Sequence, residues 1–323
     1  MITVFGLLGA PGTDLIQAAA DATYVVAPDR VLDALDVAPQ RRIRLGALRP
    51  AVAQLAGLPP EVPVVVVASG DPLFFGVVRS LHQHGLQPRV VTGASSIASA
   101  FARVGVPWDD AVVVSAHGRP IATAINLARA HPKVAVFTAP DSGLAELAAA
   151  LEDQQRWYVL AERLGETDEK IQILTTEQAR AAETSHPNVV LILADHPDAP
   201  GPGWGATIAG PDRAPRPRPS AAAAVAFAAL LPEPGELLWA TGDLAADVAA
   251  LAAWSGAAVD RDPAIPRPEA AALPEVVLAG DPAALQGISP RAVVLDTGGP
   301  LPGGYRWTEH VLAERTIWAG ERA

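Results

Sequence analysis

The sequence predicts an α/β protein built on mostly parallel sheet, and three observations predict it. Val64-Val65-Val66-Val67 follows Pro63 as an unbroken apolar run, which suits a strand buried on both faces. The run stops at Ser69-Gly70-Asp71-Pro72, which is turn chemistry, and the chain then returns as a helix from Leu73 with Pro72 near its start. Apolar strand-like runs alternate with helical ones from Met1 to Asp195, the pattern of parallel strands joined by crossover helices. In open sheets of this kind ligands sit at the carboxyl ends of strands. There, Gly70 lets a ligand approach the backbone and Asp71 offers a fixed carboxylate.

The elements follow in order. Ile2 to Leu8 is the first strand and runs into the small-residue loop Gly9-Ala10-Pro11-Gly12. A helix is expected from Asp14 to Ala22, with Asp14 as its N-cap. Thr23 to Ala27 and Arg41 to Leu45 read as short strands, the second leading to a helix that reaches Leu55. After the Val64 strand and its helix to His84 come a strand at Arg89 to Thr92, the turn Gly93-Ala94-Ser95-Ser96, and a helix over Ile97 to Val104. Val112 to Ser115 is a strand ending at His117-Gly118-Arg119-Pro120. The loops at Gly9, Ser69, Gly93 and Ser115 each follow an apolar run, so the sequence places all four on one edge of the sheet.

A second α/β unit is expected next. Lys133 to Thr138 and Trp157 to Ala161 are strands flanking an Ala-rich helix from Leu144 to Leu151. Glu162 to Asp168 is a polar loop, and Lys170 to Leu174 and Asn188 to Ala194 are extended. From Pro197 to Pro219 the chain is Pro- and Gly-rich and reads as a linker. Beyond it lie an Ala-rich helix to Leu231, a strand at Glu236 to Ala240, the turn Thr241-Gly242-Asp243, a helix to Trp254, and short strands at Ala257, Val276 and Ala292.

Composition narrows the function. The net charge of −11 argues against a nucleic-acid surface, which needs clustered Lys and Arg. The absence of Cys excludes disulfides, thiolate metal sites and Cys nucleophiles. His82, His84, His186, His196 and His310 lack ligand spacing, so no metal site is expected. The start reads as a strand and not as a signal peptide. The longest apolar run, Ala221 to Leu231, stops at Pro232, short of a membrane span. The expectation is a cytoplasmic protein with no membrane partner.

Four stretches carry a family resemblance. They are Ser69-Gly70-Asp71-Pro72-Leu73-Phe74-Phe75-Gly76; Gly93-Ala94-Ser95-Ser96 with Ala100-Phe101-Ala102-Arg103; Val106-Pro107-Trp108-Asp109-Asp110-Ala111 leading to Ser115-Ala116-His117-Gly118-Arg119-Pro120; and Glu162-Arg163-Leu164-Gly165 with Asp168-Glu169-Lys170-Ile171. The chain resembles the tetrapyrrole (class III) methyltransferases, most of all those that methylate carbon 5 of precorrin-6Y in cobalamin synthesis. The resemblance covers roughly Met1 to Asp195 and implies two α/β subdomains, about 1–120 and 121–196, with a cofactor cleft between them. The linker is then 197–219.

The resemblance implies S-adenosylmethionine as methyl donor. By position Ser69, Gly70, Asp71 and Phe74 line its pocket, Ser95 and Ser96 stand opposite, and Gly9, Thr138 and Glu162 complete it. His117 and Arg119 are the substrate-contact candidates, Arg119 pairing a carboxylate of the tetrapyrrole. Trp108 reads as a packing anchor beside the turn residues Asp109 and Asp110. One departure concerns the first loop, where Leu8 holds a position usually occupied by Gly.

The segment 220–323 resembles a carbon-15 methyltransferase often fused to such methylases, but degenerate and truncated: a small Rossmann-like segment whose Gly-rich loop is replaced by Thr241-Gly242-Asp243-Leu244-Ala245-Ala246. Its later strands are expected to be missing, leaving it a structural role such as dimerisation or docking to a separate carbon-15 enzyme. The family implies a homodimer. Alternatives are a methylase of the same fold acting on another tetrapyrrole, a diphthamide precursor or ribosomal RNA, and a catalytically dead scaffold or binding protein.

Overall fold

The computed structural model describes the chain except residues 47, 118, 140, 141, 200–216, 261–272, 297–300, 313 and 314. Most of the linker and Gly118 therefore lie outside the described residues. The chain divides into two compact units: Met1–Val106 with Ala161–Ile171 and Ser185–Val189, and Pro107–Leu160 with Gln172–Thr184 and Val190–Ala323.

The first unit is built on β1 (Ile2–Leu7), α1 (Thr13–Asp21), β2 (Tyr24–Ala27), α2 (Asp29–Ala34), β3 (Arg42–Arg44), α3 (Leu48–Ala56), β4 (Val64–Ser69), α4 (Val77–Gln83), β5 (Arg89–Val91) and α5 (Ser96–Val104). Its five strands stand in the order β3-β2-β4-β1-β5, every pairing parallel. The Val64 strand is central, and its residues Val64 to Ala68 are buried, as an interior parallel strand requires. Its two faces feed different cores: Val64, Val66 and Ala68 pack with Val4, Val52 and Leu81, while Val65 and Val67 pack with Phe5, Leu15 and Leu32.

Three local expectations change. Gly12 occupies the N-cap of α1, and Asp14 lies in its first turn, where a carboxylate favours the helix dipole. The helix after β4 starts at Val77 and not at Leu73, because residues 72–76 form turns that end at the N-cap Gly76. A Cβ at Gly76 would stand 2.4 Å from the Pro72 carbonyl oxygen, so this tight turn requires glycine. The short helix α2 follows Pro28 and carries no strong apolar period to announce it.

The second unit contains β6 (Val112–Ser115), α6 (Ile121–Ala130), β7 (Lys133–Phe137), α7 (Leu144–Ala150), β8 (Trp157–Glu162), β9 (Lys170–Thr175), α8 (Thr176–Ala181) and β10 (Asn188–Leu193). These strands form a sheet in the order β6-β7-β10-β8-β9, and the ends of β8, β9 and β10 run into stretches of the first unit. Trp108 is exposed at 44 % and is no core anchor. The turn it stands in is held by Lys133, whose ammonium donates to the Asp110 carboxylate at 2.5 Å and to the Pro107 carbonyl at 2.7 Å.

The same unit continues with α9 (Ala221–Leu230), β11 (Leu237–Ala240), α10 (Ala245–Ser255), β12 (Ala258–Asp260), β13 (Val276–Ala279), β14 (Ala292–Leu295), β15 (Tyr305–Leu312) and β16 (Arg315–Arg322). The sheet order is β12-β11-β13-β14-β16-β15, parallel through β14 and antiparallel in the final hairpin. The expectation that the later strands are missing is thereby corrected. Two eight-residue strands close that end of the sheet, and their mixed polar and aromatic sequences concealed them. At the other end α6 packs against β12, and Asn126, buried, donates from Nδ2 to the Gly235 carbonyl at 3.1 Å. The helix is buried from Ala124 through Ala128, with Ala124, Ile125, Leu127 and Ala128 in the core of the preceding sheet. Among the described residues no helix is long and apolar enough to cross a membrane.

Candidate functional site

Strands β4, β1 and β5 are neighbours, so the loops that leave their carboxyl ends are neighbours too. Leu7 pairs with Ser69 across β1 and β4, and the Gly70 N–H donates to the Leu7 carbonyl at 2.7 Å. The three backbones then meet. A Cβ on Gly6 would lie 2.4 Å from the Gly70 oxygen and 2.5 Å from the Gly93 nitrogen. Gly70 adopts φ +68, and a Cβ there would face the Ser96 nitrogen at 3.5 Å and its Oγ at 3.7 Å. The Gly70 turn therefore stands against the start of α5 at Ser96.

Each of these residues has a defined local task. Asp71 is half-buried, and its Oδ1 accepts the Leu73 N–H at 2.9 Å, fixing the turn. Ser95 caps α5 by accepting the Ile97 N–H at 3.2 Å. Beyond Asp71 the chain presents Leu73, Phe74 and Phe75 to solvent, with the two rings edge-on at 5.0 Å. Phe75 holds φ +52, a costly conformation for an aromatic residue outside glycine's range.

Gly9 stands apart from this cluster, against a different partner. A Cβ on Gly9 would come within 2.6 Å of the Gly165 oxygen, and one on Gly165 within 2.7 Å of the Gly9 nitrogen. Both glycines have positive φ, +84 and +80. The loop after β8 thus packs on the loop after β1, backbone to backbone. Glu169 holds that second loop: its Oε2 accepts the Gly165 N–H at 2.6 Å, and its carboxylate takes a two-pronged pair from Arg103 at the end of α5. Arg103 holds the Glu169 carboxyl below the ordinary Glu value, with the Gly165 N–H adding to the effect. Glu162 is buried, and its Oε1 accepts the Ser185 N–H. Sequence reasoning quoted Arg103, Gly165 and Glu169 as parts of motifs and gave them no task; opposite charges in two matched stretches were the available signal.

The fourth loop belongs to the second unit, so the expectation of four loops on one sheet edge is corrected to three. Its strand, β6, pairs in parallel with β7, Ser115 opposite Phe137. This brings the His117 and Arg119 loop beside Thr138, which follows β7 and is buried. Ser115 Oγ accepts the His117 N–H at 3.3 Å, and His117 and Arg119 are both exposed. The second unit also has a cavity of about 380 Å³ at the carboxyl ends of β11, β13 and β14, lined by Thr241, Gly242, Asp243, Gly280, Asp281 and Asp296. Arg315 bridges Asp296 at 2.5 Å and Asp243 at 3.0 Å beside it. Burial pushes the Asp296 carboxyl up from its ordinary value against the pull of Arg315.

Parallel sheet with small-residue loops clustered on one carboxyl edge is the architecture in which α/β proteins hold small molecules. The profile of the Tetrapyrrole (Corrin/Porphyrin) Methylases matches residues 14–180, and the chain belongs to that family. It is 32 % identical over 203 residues to a Cobalt-precorrin-7 C(5)-methyltransferase from Salmonella typhimurium, covering 60 % of this chain and 98 % of that one. It is 38 % identical over 118 residues to a Precorrin-6Y C(5,15)-methyltransferase [decarboxylating] from Sinorhizobium, covering 34 % of this chain and only 28 % of the relative. A solved precorrin-6Y methylase from Archaeoglobus fulgidus superposes on 60 % of the chain with a TM-score of 0.46 and 19 % identity.

The protein is a methyltransferase, and its methyl donor is S-adenosylmethionine. The loop residues suit that group. Three glycines hold the loop backbones together, hydroxyls stand at Ser69 and Ser96, and the Asp71 carboxylate complements a cationic ligand.

Proposed function

We propose that this protein methylates carbon 5 of a precorrin-type macrocycle of the precorrin-6Y kind in cobalamin synthesis. The observation that carries the reading is the match to the Salmonella C(5)-methyltransferase along 98 % of that protein's length. On this reading Ser69, Gly70, Asp71, Phe74, Ser95 and Ser96 hold S-adenosylmethionine, with Gly9 and Glu162 completing its surroundings. The bound donor supplies an already activated methyl group. The protein's own work is then alignment of a ring carbon with that methyl and exclusion of water. Arg119 pairs an acid side chain of the macrocycle and His117 stands beside it, on a loop whose exposure lets a large, polyanionic substrate reach both.

The reading extends to a cytoplasmic homodimer. The segment from Ser220 onward is then structural, a partner for α6 and a docking surface for a separate carbon-15 enzyme. Arg315 ties up two of the acids that line its cavity, and side chains stand where a cofactor loop needs glycine. Calorimetry with S-adenosylhomocysteine tests the first part: the full chain binds, and its isolated Ser220–Ala323 segment does not. A full chain that is folded and does not bind contradicts the methyltransferase reading.

A further inference from the structure

The motif stretches at Ala100 to Arg103 and at Asp168 to Ile171 lie far apart in sequence and meet in the first unit. Arg103 ends α5, the helix whose first turn carries Ser95 and Ser96. Glu169 belongs to the loop after β8. Their pair is bidentate, with Arg103 Nη2 donating to Glu169 Oε2 at 3.0 Å and Nε to Oε1. The same Oε2 accepts the Gly165 N–H at 2.6 Å. Gly165 in turn lies so close to Gly9 that neither position admits a Cβ. One carboxylate therefore connects α5, the Gly165 turn and, through glycine contact, the loop after β1. Arg30 makes a further pair with Glu166 on the outside of the same loop.

We infer that Arg103 and Glu169 form a positioning clasp that sets the loop after β1 and the start of α5 at the cofactor site. The inference rests on the proposed cofactor reading of Gly9, Ser95 and Ser96. Neither clasp residue belongs to the proposed binding set; they act on the loops that do.

The chemistry of the pair supplies a discriminating test. Glutamate has a second acceptor site for the Gly165 N–H, whereas arginine has none. Reversing the pair with Arg103→Glu and Glu169→Arg together restores opposite charges and leaves the Gly165 N–H without its acceptor. The experiment measures S-adenosylhomocysteine binding by calorimetry and thermal melting on the full chain for the parent, Glu169→Gln, Arg103→Lys, the double reversal and Arg30→Ala. The expected result is binding weakened about tenfold or more in the double reversal, with a melting temperature near the parent's. Arg103→Lys, which keeps charge and loses the fork, weakens binding less, and Arg30→Ala leaves it unchanged. Saturating cofactor then returns turnover in Arg103→Lys to the parent's rate, because the clasp shapes binding and not the chemical step. A double reversal that binds as tightly as the parent overturns the clasp while leaving the methyltransferase reading intact. A parent that binds no S-adenosylhomocysteine overturns that reading and the clasp with it.

Discussion

Asp71 sits where β4 leaves the sheet, and one of its oxygens accepts the Leu73 N–H at 2.9 Å. It contributes little apolar packing, so Asp71→Ala should cost no more than a turn cap, about 1 kcal/mol. Cofactor affinity should fall about tenfold, the value of a charge-assisted contact. Parallel melting and calorimetry check the split; a variant that unfolds, or binds as the parent does, shows Asp71 to be structural. Glu169 gives a pH prediction. Its carboxyl titrates below the ordinary Glu value when folded, chiefly because Arg103 donates to it. A depressed folded value means stability that is present above the unfolded value and is lost only as pH falls through the folded one. The stability gap between parent and Glu169→Gln should therefore hold from neutral pH down to the ordinary Glu range, about 4.3, and close below it. Denaturant melts across that range measure it, and a gap that closes well above that range contradicts the assigned pairing. The turns that carry Ser69, Gly70 and Ser95 were legible from residue type at the strand ends. Those of Arg103 and Glu169 were not, because an ion pair between distant segments leaves no local periodicity.

Helix α6 touches two sheets. One face enters the core of the β6–β10 sheet, and the other meets the start of β11 through Asn126 and Thr123. It also follows directly from the His117 and Arg119 loop. Gly235 holds φ +92, and a Cβ there would come 2.9 Å from Thr123 Cγ2. Gly235→Val should therefore destabilise the chain by about 1–3 kcal/mol through overpacking and backbone strain. Chemical denaturation reads that cost, and an unchanged midpoint would show that α6 and β11 separate freely. The strands of this protein were legible wherever Val, Ile and Leu ran together, as in β4, β7, β10 and β14. Helix α6 was missed although Pro120 at its start and its Ala- and Leu-containing sequence were available signals. Strands β15 and β16 were missed for the opposite reason: partly exposed hairpin strands carry charges and aromatics instead of an apolar run.

At the scale of the whole molecule, the sequence divides at a Pro-rich stretch, yet the residues on its two sides share one compact unit. The buried Asn126–Gly235 hydrogen bond and the packing of α6 on β12 explain that sharing. Cutting the gene near Pro215 and expressing both halves together should therefore yield fragments that copurify and methylate. Halves that elute separately would show the α6 contact to be too weak to hold them. The central claim is the transfer of a methyl group to carbon 5, and one measurement tests it most directly. The purified chain is incubated with S-adenosylmethionine carrying a 13C-methyl group and with precorrin-6Y or its cobalt counterpart, and the product is read by NMR. The account predicts one new labelled methyl on carbon 5 and stoichiometric S-adenosylhomocysteine. A folded, cofactor-binding chain that labels another carbon, or that leaves both macrocycles unmethylated, would contradict it.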